Sequence, residues 1–175
     1  MPDPGTTAVV IVLPDATPLL DAAWRIDPAL VRRGVPAHVS LLYPFVPESA
    51  LTGQDEKNVR SLAASCPAAD LLLEEVVTES GFVAVTVPGL QAIADAFRAQ
   101  WPGLLPYRGR FGARPAAHVT VAMGADNPTT AARVHAALGS LLPLRTRAAA
   151  VQLVVLTEDG WRPRFTAPLG VPDGP

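Results

Sequence analysis

Hydrophobic and polar positions along the chain switch repeatedly between the period of a strand and that of a helix. Residues 6–13 (TTAVVIVL) are β-branched and apolar, as in a buried strand. Thr17-Pro18 supplies an N-cap and a proline at the first helical position, and Leu20 and Trp24 belong to the helix that follows. Asp27-Pro28 repeats the device for a short turn that stops near Gly34. Residues 38–45 (HVSLLYPF) predict a second strand, with Pro44 near its end. Thr52 and Asp55 form a capping-box pattern ahead of a helix whose stripe is Val59, Leu62, Ala63 and Cys66. A third strand over 70–78, a turn at Glu79-Ser80-Gly81 and a strand over 82–87 come next. Leu90, Ile93, Phe97 and Trp101 then mark a helix at about 89–101, followed by a loop rich in Gly, Pro and Arg. A strand at 118–123 (HVTVAM) leads to a helix opened by Asn127-Pro128, with Ala131, Val134, Leu138 and Leu141 on its stripe. A strand near 149–156, a turn at Asp159-Gly160 and a strand near 161–168 end the pattern.

The order of elements occurs twice. The strand beginning at 6 recurs at 82, the helix at 17 recurs at 89, and His38 recurs as His118. The helix at 52 recurs at 127 and the strand at 70 recurs at 149. These offsets of 76, 72, 80, 75 and 79 residues agree within loop-length variation, as an internal duplication requires. Each half reads β-α-β-α-β. The expected fold is therefore α+β: one bilobed domain over 1–175 with approximate twofold symmetry and a central groove. The halves should fall at about 6–80 and 81–169, with terminal strands free to cross between sheets.

Composition narrows the chemistry. Hydrophobic residues make up 49% of the 175, enough for a packed core. Fourteen basic against 16 acidic residues give a net charge of −2, which argues against a binder of long nucleic acid and leaves room for a small anion held by a few arginines. Cys66 is alone and cannot form an internal disulfide; one Cys and three His fall short of a structural zinc set. No apolar run approaches the length of a membrane span, and Met1 to Thr7 lack a basic signal-peptide stretch. A cytoplasmic monomer with no cofactor, no DNA partner and no membrane partner is expected.

Two of the three histidines carry the same tripeptide: His38-Val39-Ser40 and His118-Val119-Thr120. On a strand, residues i and i+2 share a face. His38 and Ser40 thus look one way while Val39 and Leu41 look toward the core, and His118 and Thr120 do the same against Val119 and Val121. Two such strands brought together across a twofold axis make a pocket of two imidazoles and two hydroxyls. Imidazoles titrate near neutrality, so the pair suits a reaction that needs a general acid and a general base together. The hydroxyls can donate to the non-bridging oxygens of a phosphate. His38 and His118 are the catalytic candidates, and Ser40 and Thr120 the phosphate-binding ones. Two competing readings are a non-catalytic nucleotide- or phosphate-binding module and a metal-dependent hydrolase with the histidines as ligands. Neither motif carries a carboxylate at ligand spacing, so no metal is expected. His135 has no motif around it and reads as a surface residue.

Two H-x-[ST]-hydrophobic strands about 80 residues apart in a duplicated α+β chain resemble the two-histidine (2H) phosphoesterase superfamily, and in particular its bacterial 2'-5' RNA ligase-like branch. His38-Val39-Ser40 with Leu41-Leu42-Tyr43-Pro44-Phe45 is similar to the first motif of that branch, and Pro115-Ala116-Ala117-His118-Val119-Thr120-Val121 to the second. The resemblance covers about 6–169. It implies metal-independent work on 2',3'-cyclic phosphates or 2'-5' phosphodiester linkages of RNA ends or small nucleotides, by hydrolysis or reversible ligation. It also implies His118 as base and His38 as acid in hydrolysis. Many branch members carry arginine three residues after the second hydroxyl, where this chain has Met123.

A phosphate needs positive charge beyond two neutral imidazoles. The loop before the second motif offers Arg110 and Arg114 (with Arg108), interleaved with Tyr107 and Phe111, as possible substrate contacts: guanidinium for phosphate and rings for a base. Arg32 and Arg33 read as caps of the short helix. Trp161, Arg162 and Arg164 lie on the last hairpin and could rim the groove, but read first as ordinary exposed strand residues. Strand parity sends Tyr43 and Phe45 to the core.

Overall fold

A computed structural model of the chain describes residues 4–170 apart from Ser80 and Ala113. Its elements are β1 (Thr7–Val12), α1 (Thr17–Ile26), β2 (His38–Leu42), α2 (Gly53–Ser65), β3 (Ala69–Leu73), β4 (Val76–Glu79) and β5 (Phe82–Thr86). After these come α3 (Gln91–Gln100), β6 (His118–Met123), α4 (Pro128–Gly139), β7 (Leu144–Ala148), β8 (Ala150–Thr157) and β9 (Gly160–Pro168). Among the described residues the strands form one seven-stranded sheet, in the order β4-β5-β6-β2-β1-β8-β9, and a two-stranded ribbon, β3-β7. The chain has the α+β, pseudo-twofold fold that the repeat predicts.

The axis of that symmetry runs between β2 and β6, which are antiparallel and meet where Val39 pairs with Val119. Those are equivalent residues of the two repeats. On either side the pattern repeats to the residue: Val12 pairs with His38 as Thr86 does with His118, and Val10 with Ser40 as Ala84 does with Thr120. Each pairing then shifts by one residue, between Val9 and Val10 and between Val83 and Ala84, so that Leu41 and Val121 are the extra residues of matching β-bulges.

One face of the sheet is the main core. Val9, Ile11, Val39, Leu41, Val83, Val85, Val119 and Val121 pack there with Leu19 and Ala23 of α1, Ala94 and Phe97 of α3, and Val134 and Leu138 of α4. Each fully buried Leu, Ile or Phe contributes on the order of 1.5–3 kcal/mol. Local signals place the helices. Thr52 accepts the Asp55 amide at 3.1 Å, and the Asp55 carboxylate accepts the Thr52 amide at 3.0 Å, completing the expected capping box of α2. Asn127 accepts the Thr129 amide at 2.8 Å to cap α4. Thr17 is itself the first residue of α1, and its hydroxyl donates to the Pro14 carbonyl at 2.7 Å. None of the described helices is long and apolar enough to cross a membrane.

Several expectations need correction. The strand expected over 70–78 is two strands, since the chain leaves β3 after Leu73 and re-enters a different sheet at Val76. The partner of β3 by symmetry is β7, which the hydrophobic pattern does not announce because its alternation, Leu-Arg-Thr-Arg-Ala, looks like a solvated linker. Strands do cross between the repeats, as the expected fold leaves open: β4 pairs with β5, and β8 pairs with β1. The expected turn and boundary at Ser80 lie on a residue outside the described set.

Candidate active site

The face of the sheet opposite the helices carries Val10 and Val12 and, paired with them, Ser40 and His38. It opens into a cavity of about 450 Å3 whose lining includes His38, Ser40, His118 and Thr120. The structure thus brings both histidines and both hydroxyl residues of the repeated motif to one pocket. The period of the strand does this, because His, Ser or Thr at i and i+2 must share a face if the intervening valines are to fill the core. Val39 and Val119 do fill it, with no exposed surface.

Both imidazoles are held in the same way. His38 Nδ1 lies 2.7 Å from the Pro36 carbonyl and His118 Nδ1 lies 2.7 Å from the Ala116 carbonyl, in each case two residues back. A carbonyl only accepts, so Nδ1 carries the proton and the Nε2 lone pair remains available. Burial disfavours the charged form of both rings. It lowers the pKa of His38 to about 4, with the nearby His118 and Arg32 adding to the effect against the Pro36 hydrogen bond. His118 is lowered too, mainly by burial and further by the Arg98 guanidinium, while the bond to Ala116 opposes.

Aromatic rings back each imidazole, but from unrelated segments. Trp161, the second residue of β9, sits 4.4 Å from His38 between ring centroids. Tyr107 stacks on His118 at 5.7 Å with its plane tilted 27°. Tyr43 joins the two, 6.0 Å from Tyr107 and 6.5 Å from Trp161. Burial pushes the Tyr107 phenol up, and interaction with the Ser40 hydroxyl pulls it partly back. Tyr107 and Arg108 both adopt left-handed backbone (φ 51° and 56°), an uncommon geometry held by the Tyr107 amide donating to the Tyr43 carbonyl at 2.6 Å. Beyond Tyr107, Phe111 packs edge-on to it at 5.3 Å and to Phe82 at 5.7 Å. Arg110 lies over Phe82 at 4.6 Å and over Phe111 at 5.4 Å, a cation–π arrangement that leaves its N–H groups free of any carboxylate among the described residues.

Among the described residues the pocket lining contains Arg32, Arg108 and Arg110 and no Asp or Glu. Of the four residues expected from the loop, Tyr107, Arg110 and Phe111 line the pocket. Arg114 does not. Its guanidinium is turned to Asp95 on α3, with Nε 3.0 Å from the carboxylate, and that pairing holds Asp95 below the usual carboxylate range. Tyr43, expected in the core, lines the pocket because the bulge at Leu41 reverses strand parity after it; Phe45 remains in the core. Trp161 is a pocket wall and not an ordinary strand residue, while Arg162 and Arg164 pair with Glu48 and Glu56. His135 is exposed, 3.3 Å from the Thr78 hydroxyl.

Nothing in the sequence pattern singles out Arg98. It sits at the C-terminal end of α3 with its side chain 9% exposed, donates to the Pro115 carbonyl at 2.8 Å, and has a buried Nε with no partner. In the sequence it reads as a polar residue beside Phe97, and only the packing of α3 against β2 reveals it. Among the described residues no three His, Cys, Asp or Glu side chains cluster as a metal-binding group.

Known proteins share this architecture. The profile of the 2'-5' RNA ligase superfamily matches residues 14–160. No curated protein matches the sequence. Among solved structures, one described as a phosphoesterase is 19% identical at a TM-score of 0.61, covering 96% of this chain and 99% of its own. E. coli LigT, solved with NADP+, is 19% identical at a TM-score of 0.60, covering 97% and 99%. TT0787 of Thermus thermophilus is 16% identical at a TM-score of 0.62, covering 95% and 99%. At such identities the likeness is one of fold.

Proposed function

The chain belongs to the 2'-5' RNA ligase superfamily, and from that premise we propose that it is a metal-independent phosphoesterase. Its substrates are 2',3'-cyclic phosphates or 2'-5' phosphodiesters of RNA ends or small nucleotides, which it hydrolyses or reversibly ligates. The observation that carries this reading is the duplicated His/hydroxyl pair in one pocket, each ring with Nδ1 committed to a carbonyl and Nε2 available.

Hydrolysis proceeds by one proton taken and one given. His118 Nε2 accepts the proton of a water whose oxygen attacks phosphorus. His38, as imidazolium, gives its Nε2 proton to the departing ribose oxygen as the P–O bond breaks. These two roles are taken from the family resemblance, in which the histidine of the second motif is the base and that of the first the acid. Burial favours the neutral form of both rings, and a bound phosphate supplies the countercharge that lets His38 hold a second proton. Ser40 and Thr120 donate to the non-bridging oxygens, and Arg110 supplies charge beside the rings of Phe82 and Phe111. Among the described residues of the lining, the two imidazoles are the groups suited to give and take a proton near neutral pH. The complexes of E. coli LigT with 3'-AMP, ATP and NADP+ support a ligand of nucleotide size for a cavity of this shape.

The test is incubation with a panel of 2',3'-cyclic nucleotides in excess EDTA, followed by 31P NMR. Ring opening to a single monophosphate isomer is expected. No product from any member, beside an active control enzyme, contradicts the proposal.

A further inference from the structure

Two side chains of α3 grip the main chain on either side of the carbonyl that orients His118. Arg98 Nη1 donates to the Pro115 carbonyl at 2.8 Å, and Gln91 Oε1 accepts from the Ala117 amide at 2.8 Å. Between them lies Ala116, whose carbonyl receives His118 Nδ1 at 2.7 Å. Asp95 ties the pair together, taking Gln91 Nε2 at 2.9 Å and Arg98 Nη1 at 3.6 Å, and its second oxygen binds Arg114. Arg114, outside the pocket, thus serves as the outer post of the same brace.

The other lobe has no such device. The amides of Leu13 and Val87 make equivalent bonds to the carbonyls of Ala37 and Ala117, which places Trp24 of α1 where α3 has Arg98 and Thr17 where it has Gln91. Trp24 is 52% exposed, and the Thr17 hydroxyl turns back to Pro14. Among the described residues no α1 side chain hydrogen-bonds to the chain ahead of His38. Packing alone does not call for a guanidinium at position 98, where Nε is buried without a partner; an apolar side chain would avoid that desolvation.

We infer that Arg98, seated by Asp95 and assisted by Gln91, is a positioning residue for His118. It holds the 115–117 segment so that the Ala116 carbonyl keeps the Nδ1 proton and the Nε2 lone pair faces the pocket. The inference rests on the reading of His118 as the base, but its test does not depend on turnover.

The test is 15N NMR of the imidazole nitrogens at pH 7.5, in wild type and in Arg98→Gln. Wild type is expected to show the Nδ1–H tautomer at both His38 and His118. In R98Q the His118 signals move toward a tautomer mixture while those of His38 stay in place, and R98K recovers part of the wild-type pattern. With a turned-over cyclic nucleotide, kcat of R98Q falls about 10-fold with KM within about twofold. Unchanged His38 signals and an unchanged thermal melt certify folding. Should R98Q fail that check, Gln91→Ala perturbs the same segment from its other side and is read in the same way. A His118 tautomer that is unaltered in the folded variants overturns the inference. A wild-type protein inert toward every cyclic nucleotide overturns the functional reading instead.

Discussion

The two lobes build the same pocket floor on different supports. At the floor the repeats agree: a carbonyl two residues back on Nδ1, a hydroxyl two residues on, and a bulge immediately after it. Around the floor they diverge. The chain ahead of His38 is docked through backbone on the β8-β9 hairpin, where Gly34 lies against Asp159 and Gly160 so closely that a Cβ at Gly34 would stand 2.0 Å from the Asp159 carbonyl. The same hairpin delivers Trp161 to the His38 ring, and the Trp161 amide bonds the Gly34 carbonyl at 3.1 Å. The chain ahead of His118 is held by α3 side chains instead, and its stacking ring comes from the loop bearing Tyr107. A symmetric floor places two equivalent imidazoles in one pocket, and the walls around them differ.

The largest expected effect breaks both lobes alike. His38→Ala and His118→Ala should each lower kcat by roughly 10²-fold or more, and the double variant should lose much less than the product of the two, since they act as a unit. Steady-state kinetics on a cyclic nucleotide checks this. Next, Ser40→Ala and Thr120→Ala should each cost on the order of 10-fold in kcat/KM, the worth of one hydrogen bond to a charged oxygen. Ser40→Ala additionally removes a hydroxyl that interacts with the Tyr107 phenol, so the two losses should differ. Third, Gly34→Ala should destabilise the fold by about 2 kcal/mol, because φ is +66° and the new Cβ meets backbone. Urea denaturation measures it, and the His38 NMR signals should move while those of His118 do not.

The smallest effect is electrostatic. Both histidines are lowered in the native state, so between about pH 6.5 and pH 4 the unfolded chain binds protons that the folded chain refuses. Stability from this source is therefore full above pH 6.5 and is lost as pH falls through that window. Denaturation midpoints at pH 7 and pH 5 should differ less in His38→Asn than in wild type, and less again in the double Asn variant.

The floor of the site was legible in the sequence because its geometry is local: His and hydroxyl at i and i+2, repeated once, with valine between. The duplicated order was legible for the same reason, each landmark being a cap, a stripe or a β-branched run. The walls were not. Tyr43 changes face at a bulge that no residue type announces. Trp161 reaches His38 through a hairpin more than 100 positions away in the chain. Arg98 and Arg114 have the composition of phosphate ligands or solvated charge, and only the packing of α3 turns them into a brace. That strands could cross between the repeats was open in the sequence, but which ones pair was not, since a strand sequence does not name its neighbour.

The account depends on two rings serving one phosphorus. A crystal structure of the protein with a nucleoside 2'-monophosphate tests that most directly. The phosphate is predicted to lie between the rings, with an oxygen within about 3.2 Å of each Nε2 atom and the Ser40 and Thr120 hydroxyls on its other oxygens. A phosphate bound to one histidine alone, or held by Arg108 and Arg110 away from both, contradicts it.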